Sequence, residues 1–339
     1  MDKPSVSVIL PVYNAAGTLD EAVESICSQS LQDWELVAVD DGSTDGSAEK
    51  LRQWAGRDPR IRPLFREHRG IVPSLNDGVE AARAPLLARM DGDDRSMPRR
   101  LELQKKLLDR SPDTGLASCL VRHLGEEEET AGYARHVRWI NSLTGHDEIA
   151  RSRFIESPLA HPSVMFRAGT LRKYGGYRDG DFPEDYELWL RWLEAGVRMQ
   201  KVEQELLLWR DEPGRLSRTD ARYAFEAFYR IKAGYLARWL KRNNPRHPEV
   251  VIWGAGRTTR KRAELLCPHG VEITHYVDID PNKIGNTVHG RPVWSPDDLP
   301  NPGRRFVVSY VGRHGANSMI RKDLTTRGYR EVDDFIFAA

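Results

Sequence analysis

Asp91, Asp93 and Asp94 close the stretch LLARMDGDD, directly after the apolar residues Leu86, Leu87 and Ala88. Carboxylates this close repel one another, and each resists losing its hydration. A positive partner resolves the conflict, and a metal ion is the simplest one. Asp91 and Asp93 flank one glycine. An extended D-x-D projects both carboxylates to the same side, where they can share one hard cation or a metal-bound diphosphate. The same pattern occurs in solvated turns, and alone it does not choose between them.

Other polar clusters offer similar chemistry, each with a plainer reading beside it. Asp40 and Asp41 open the segment DDGSTDGS, which also reads as a turn leading to a helix cap through Ser43, Thr44 and Asp45. Glu184 and Asp185 precede YELWLRWLEA, where a carboxylate suits a helix N-terminus on dipole grounds alone. His161, in LAHPSVMFR, suits a site or a satisfied core position equally.

The elements that carry these residues alternate. Residues 5–10 (SVSVIL) read as a buried strand, followed by a helix opened by a capping box from Thr18 to Glu21 with an apolar stripe at Leu19, Ala22, Val23, Ile26 and Cys27. Strands over 35–39 and 61–65, helices over 48–54 and 74–82, and the strand before Asp91 come next. Ser96 is expected to cap the following helix, with Pro98 in its first turn. Short connections between alternating strands and helices argue for a parallel sheet with helices on both faces, and such sheets bind ligands at the carboxyl ends of their strands. The stretch 115–183 is irregular, with Glu126–Glu129 a solvated loop. Helices follow over 184–195, closed by Gly196, and over 219–242. The polar segment NNPRHP (243–248) is the boundary before VVIWGAG opens a new strand-turn-helix unit.

With 51 Lys and Arg against 50 Asp and Glu, no overall field draws the chain to nucleic acid. Cys27, Cys119 and Cys267 are odd in number and far apart, which fits neither a disulfide framework nor a metal knuckle and points to a reducing compartment. No stretch reaches the ~20 apolar residues of a spanning helix, and the N-terminal apolar run is too short for a signal peptide. A cytoplasmic protein is expected.

Taken in order, SVILPVYN, VDDGSTDGS, ARMDGDD with PRRLELQ, HPSVMFR and EDYELWLRW resemble the family 2 glycosyltransferases over residues 4–217. The resemblance implies a GT-A fold, with a mostly parallel sheet flanked by helices. It further implies an inverting hexosyltransferase for glycan or cell-surface polysaccharide synthesis, using a UDP-linked or other nucleotide-sugar donor, Mn2+ or Mg2+, and a glycan or lipid-linked acceptor. On it, Pro11 and Tyr13 line the base and ribose pocket, and Asp41 bonds to the base with Asp40 as its neighbour. Asp93 and Asp91 hold the metal, Asp91 facing the ribose and Asp94 supporting from alongside. Asp185 is the base that takes the acceptor proton, Glu184 its supporting neighbour, and His161 lies near the diphosphate and acceptor. An aspartate with a reference pKa of ~3.9 is already ionised at neutral pH, so Asp185 needs placement more than tuning.

These readings divide the chain into a glycosyltransferase domain (1–217), a helical connector (218–247) and a Rossmann-like α/β domain (248–339), similar to nucleotide-sugar-binding domains. There Gly254 and Gly256 follow a strand, Thr259 takes the third glycine position of G-x-G-x-x-G, and Asp278 is placed to meet ribose hydroxyls. A nucleotide site and a structural or pairing domain both remain open. So does a competing function for the chain, as a nucleotide-sugar-binding or nicotinamide-dependent redox protein acting through 248–339. A nucleotidyltransferase is disfavoured, because PVYNAAGT lacks the basic residues its phosphate loop needs. The 219–242 helix sets Phe225, Phe228, Tyr235, Trp239 and Leu240 among Arg222, Arg230, Lys232, Arg238 and Lys241. Such a helix can rest on the inner face of an anionic membrane, or pack on the protein or on a second subunit.

Overall fold

The computed structural model describes residues 3–124, 131–211, 216–313 and 315–339, so the Glu126–Glu129 run lies outside the described residues. Contacts divide the chain into two compact units. The first comprises Met1–Ile149, Pro158–Gly180 and Arg191–Asp220; the second comprises Ala150–Ser157, Asp181–Leu190 and Ala221–Ala339.

The first unit is built on β1 (Val6–Val12), β2 (Trp34–Asp40), β3 (Ile61–Phe65), β4 (Leu86–Arg89), β5 (Arg95–Ser96), β6 (Thr114–Leu124), β7 (Met165–Arg167) and β8 (Arg198–Arg210), in the order β3-β2-β1-β4-β7-β6-β8-β5. β3, β2, β1 and β4 are parallel neighbours, as β6 and β8 are, whereas β7 runs antiparallel to β4 and β6, and β5 to β8. Every residue of β1 and β2 is buried, as continuous runs covered on both faces require. The helix Leu19–Cys27 covers the sheet with Leu19, Ala22, Val23 and Ile26. The helix Ile71–Ala81 approaches so closely that a Cβ at Gly78 would lie 2.7 Å from Ile9 Cγ2 and 3.3 Å from Val39 Cγ2.

Two expected caps do not form. Thr18 makes no side-chain cap; its hydroxyl donates instead to the carbonyl of Gly92 at 2.8 Å, a long-range contact that the local pattern cannot reveal. Ser96 belongs to β5 and its hydroxyl accepts from Arg100 Nη1 at 3.2 Å; the helix begins later, at Arg100. The irregular stretch holds β6, the helices Ala131–Asn141, His146–Ser152 and Ala168–Tyr174, and β7.

The second unit carries β9 (Glu249–Trp253), β10 (Glu272–Val277), β11 (Thr287–Val288), β12 (Arg291–Trp294), β13 (Val307–Ser309) and β14 (Phe335–Phe337). Its parallel strands lie in the order β12-β10-β9-β13-β14, the 3-2-1-4-5 order of doubly wound folds, with β11 antiparallel at the edge. The helix Phe225–Asn243 turns Tyr235, Trp239 and Leu240 into the same core as Val250, Ile252 and Phe306. The aromatic stripe is therefore mostly spent on packing, with Phe225 left exposed. Lys232, expected on the basic face, is buried and donates to the carbonyls of Phe154, Ile155 and Ala338. Among the described residues no helix is long and apolar enough to cross a membrane.

The Gly78 contact gives a direct test of the first layer. Gly78→Ala gains helix propensity yet forces a methyl into Ile9, so we expect a net loss of about 1–3 kcal/mol, read as a lowered denaturant midpoint at unchanged slope. A neutral or raised midpoint contradicts the close helix-to-strand approach.

Candidate active site

The carboxyl ends of β2, β1 and β4 lie side by side, and the loops that leave them are laced together. Asn14 N–H donates to Ser43 Oγ (3.0 Å) and Thr44 N–H to Asn14 Oδ1 (2.9 Å). Ala15 N–H reaches Ser47 Oγ (2.9 Å) and Ala16 N–H reaches Asp45 Oδ2 (2.8 Å). The turn-forming residues of DDGSTDGS thus serve a neighbouring loop, while the helix Ser47–Arg57 starts from Gly46. The Asp91–Asp94 turn joins the same edge: Thr18 holds the Gly92 carbonyl, and Gly92 lies against Ala15, where a Cβ would come within 3.3 Å.

Asp91, Asp93 and Asp94 each present a carboxylate oxygen within 4.8 Å of the others, so the structure brings the D-x-D triplet together as a group able to hold a cation. Sequence reasoning asked for a positive partner, and the chain itself supplies one. Arg89, 4% exposed at the end of β4, pairs through Nη1 with Asp91 Oδ1. Burial alone would lower its pKa, but Asp91 outweighs it and holds the guanidinium firmly protonated. Asp94 is buried and accepts the N–H of Arg210 at 2.8 Å, and Arg210 Nε donates to the Asp93 carbonyl at 2.8 Å.

Asp41, 3% exposed, is surrounded by donors. Arg66 Nε and Nη2 reach its Oδ1 at 2.9 and 2.6 Å, Arg69 N–H reaches Oδ1 at 3.0 Å, and Gly70 N–H reaches Oδ2 at 2.7 Å. Burial opposes ionisation here, yet these hydrogen bonds and the Arg66 charge hold the carboxyl below the usual range. Asp40 is also buried and accepts from Ser43 N–H at 3.3 Å. Pro11 is buried within β1. Tyr13, half exposed just beyond it, stacks on His68 with ring centroids 4.1 Å apart.

His161 is buried, its Nε2 paired with Tyr177 Oη at 2.9 Å. Burial, reinforced by the positive charge of Arg89, pushes its pKa well below the ordinary value, so the ring is neutral at pH 7.

Asp185 and Glu184 belong to the second unit, at the start of the helix Glu184–Glu194. Asp185 Oδ1 accepts the N–H of Tyr186 at 2.7 Å, and Glu184 Oε2 accepts from Tyr223 Oη at 2.6 Å. In the same unit Gly254, at φ +109°, has Thr259 and Val311 packed where a Cβ would sit (2.7 and 2.8 Å), so Thr259 fills the space beside the turn. Gly256 precedes the short helix Arg257–Ala263. Asp278 is occupied: Oδ2 accepts from Ala255 N–H (2.9 Å) and Lys283 Nζ (3.2 Å), and Oδ1 from Asp280 N–H (3.0 Å).

Arg89, His68 and Tyr223 escaped sequence reasoning. A lone arginine in the apolar strand LLAR signals the first. Nothing local signals the others, whose partners are 27 and 39 residues away.

Residues 7–175 match the family described as Glycosyl transferase family 2. EpsE of Bacillus subtilis (strain 168), assigned as a glycosyltransferase, is 32% identical over 231 residues, covering 66% of this chain and 79% of that protein. The O-antigen biosynthesis glycosyltransferase WbnJ of Escherichia coli is 29% identical over 208 residues, covering 60% of this chain and 79% of that protein. Two solved structures share the fold. The mannosyltransferase PcManGT from Pyrobaculum calidifontis in complex with GDP-Man and Mn2+ has a TM-score of 0.50 at 22% identity, covering 71% of this chain and 64% of that one. S. aureus TarS 1-349 in complex with UDP-GlcNAc has a TM-score of 0.52 at 15% identity, covering 78% of this chain and 70% of that one. With motifs, sheet order and relatives in agreement, this chain belongs to the family 2 glycosyltransferases.

Proposed function

We propose that the protein is an inverting, metal-dependent transferase that moves a sugar from a nucleotide-sugar donor to an acceptor hydroxyl in bacterial-type surface-polysaccharide synthesis. The observation that carries this reading is the convergence of Asp91, Asp93 and Asp94, within 4.8 Å of one another, at the carboxyl ends of the parallel strands β2, β1 and β4. The ligands bound in the PcManGT and TarS structures, and the O-antigen role in the name of WbnJ, support the donor class and the product class.

An all-oxygen carboxylate set suits a hard divalent cation such as Mn2+ or Mg2+. Asp93 and Asp91 would hold it, Asp91 steadied by Arg89 and Asp94 supporting the turn. When bound, the cation supplies Lewis-acid stabilisation of the diphosphate as it leaves. Pro11 and Tyr13 then line the nucleoside, and Asp41 shapes the base side through its hold on residues 66–70. The neutral His161 offers hydrogen bonding without an added charge. Asp185 accepts the proton of the acceptor hydroxyl as its oxygen attacks the anomeric carbon from the face opposite the diphosphate, so one displacement inverts the centre.

In this reading residues 1–217 carry the transferase, 218–247 connect, and 248–339 form a Rossmann-like domain. For that last part we favour a supporting role over a nucleotide site at Gly254, Gly256 and Asp278, because the Asp278 carboxylate already ties down the glycine turn.

The decisive experiment follows nucleoside diphosphate release from a panel of UDP- and GDP-sugars with added Mn2+, Mg2+ or chelator. We expect Asp93→Asn to lower turnover by roughly 10²-fold or more and to weaken Mn2+ binding in calorimetry, since even residues outside a metal's ligand shell contribute about 10- to 100-fold. Full activity in chelator, or undiminished Mn2+ affinity in the variant, rejects the metal assignment.

Asp185→Asn is expected to cut the transfer rate by ~10²–10⁴-fold while leaving donor affinity nearly intact, because the acceptor proton moves only during reaction. Loss of donor binding in step with the rate would move Asp185 out of the base role and into donor binding.

A further inference from the structure

We infer that Tyr223 and Tyr235 are positioning residues for Asp185, fixing the acidic first turns of its helix from the segment that follows the transferase motifs. This rests on the reading of Asp185 as the base.

Every residue around Asp185 on that turn is held. Before it, Glu184 Oε2 accepts from Tyr223 Oη at 2.6 Å. After it, Tyr186 Oη donates to the Arg153 carbonyl at 2.6 Å, and Glu187 Oε1 accepts from Tyr235 Oη at 2.7 Å. Glu184 and Glu187 are each only 2% exposed, and burying a carboxylate is costly unless hydrogen bonds reach it. Both tyrosines meet that need with a neutral hydroxyl, which satisfies a carboxylate without setting a new positive charge beside Asp185. A lysine or arginine in their place would pair with the acidic turn and make Asp185 a poorer proton acceptor. Burial and the charges of Glu184 and Asp185 push the Tyr223 hydroxyl above its ordinary range, so it keeps its proton and donates at every working pH.

The tyrosines are themselves well anchored. Tyr235 lies on the helix Phe225–Asn243, whose Leu236, Trp239 and Leu240 share a core with Val250, Ile252 and Phe306 of the C-terminal sheet. Tyr186 and Leu190, from the helix that bears Asp185, belong to that same core. The C-terminal segment thereby grips both the apolar side and the acidic side of this helix start. That gives residues 218–339 a part in the transfer step which needs no ligand of their own.

The test uses the full chain with Tyr223→Phe, Tyr235→Phe and the double variant, since phenylalanine removes the hydroxyl and keeps the ring in the core. Steady-state transfer, calorimetric binding of UDP and GDP with Mn2+, and thermal unfolding are measured together. We expect kcat to fall about 5- to 50-fold in each single variant, because sub-ångström errors in placing a reacting group are costly. Nucleoside diphosphate affinity should stay within about twofold, and the double variant should lose less than the product of the single losses, as partners of one turn do. Unchanged kcat in both single variants overturns the inference, and so does a loss shared equally by kcat and diphosphate affinity. If one variant fails to fold, the other decides alone. Asp185→Asn separates the two levels of argument. An active Asp185→Asn enzyme removes the base reading and this inference together, whereas an inactive one beside fully active tyrosine variants removes only this inference.

Discussion

The pairing of Arg89 with Asp91 is the constraint around which the first unit's polar edge is organised. β4 brings Leu86, Leu87 and Ala88 into the core and must then release three carboxylates in a few residues. Arg89 closes β4, Met90 after it is still buried, and the Arg89 guanidinium meets the first of those carboxylates. Removing one partner of a buried pair typically costs 3–5 kcal/mol, while Asp91, 21% exposed, keeps part of its hydration and so softens that figure here. Burial is the main cause of the lowered pKa of His161, and the same buried charge adds to it. Arg100 extends the arrangement inward by donating to the Arg89 carbonyl, which holds the strand end in register while the side chain is drawn toward Asp91.

Around that pair, the loops gain precision from one another. The contacts of Asn14, Ala15 and Ala16 with Ser43, Asp45 and Ser47 join the exits of β1 and β2, and Thr18 joins β1's loop to the aspartate turn. Sites on loops are usually looser than sites on strands, and cross-loop hydrogen bonding of this kind reduces the difference. Asp41 acts in the same way one strand further out. It collects the side chain of Arg66 and the backbone N–H groups of Arg69 and Gly70, so an aspartate which the family likeness assigns to the base is also what folds the loop that presents His68 to Tyr13.

How much of this is legible in the chain follows from the range of each interaction. β1, β2 and β3, the stripe of the Leu19–Cys27 helix and the D-x-D cluster depend on period and composition within a few residues, and each lies close to where periodicity places it. The caps at Thr18 and Ser96 are misread because those hydroxyls are taken by Gly92 and Arg100. Local signals cannot weigh a partner 74 residues away. Lys232 is the sharpest case: a lysine among basic neighbours reads as surface, yet three carbonyls from two distant segments give its amino group a buried seat. The stretch 115–183 fails for a related reason. β7, three residues long and flanked by β4 and β6, is stabilised by its neighbours rather than by any pattern of its own.

The aromatic stripe of the Phe225–Asn243 helix shows how one pattern can carry two meanings until packing decides. Periodic aromatics flanked by basic residues describe a helix at a lipid surface and a helix seated on a sheet equally well. The deciding facts are where the polar tips of the aromatics go. A membrane-facing tyrosine would turn its hydroxyl to water or headgroups; Tyr235 turns it to Glu187, in a position 8% exposed. An acidic side chain at 2% exposure is a costly neighbour for a helix unless that helix brings a donor to it. The stripe and the acidic turn therefore answer each other's needs, apolar surface for apolar surface and hydroxyl for carboxylate. A plain hydrophobic residue at position 235 would fill the core but remove the hydrogen bond that Tyr235 donates to Glu187.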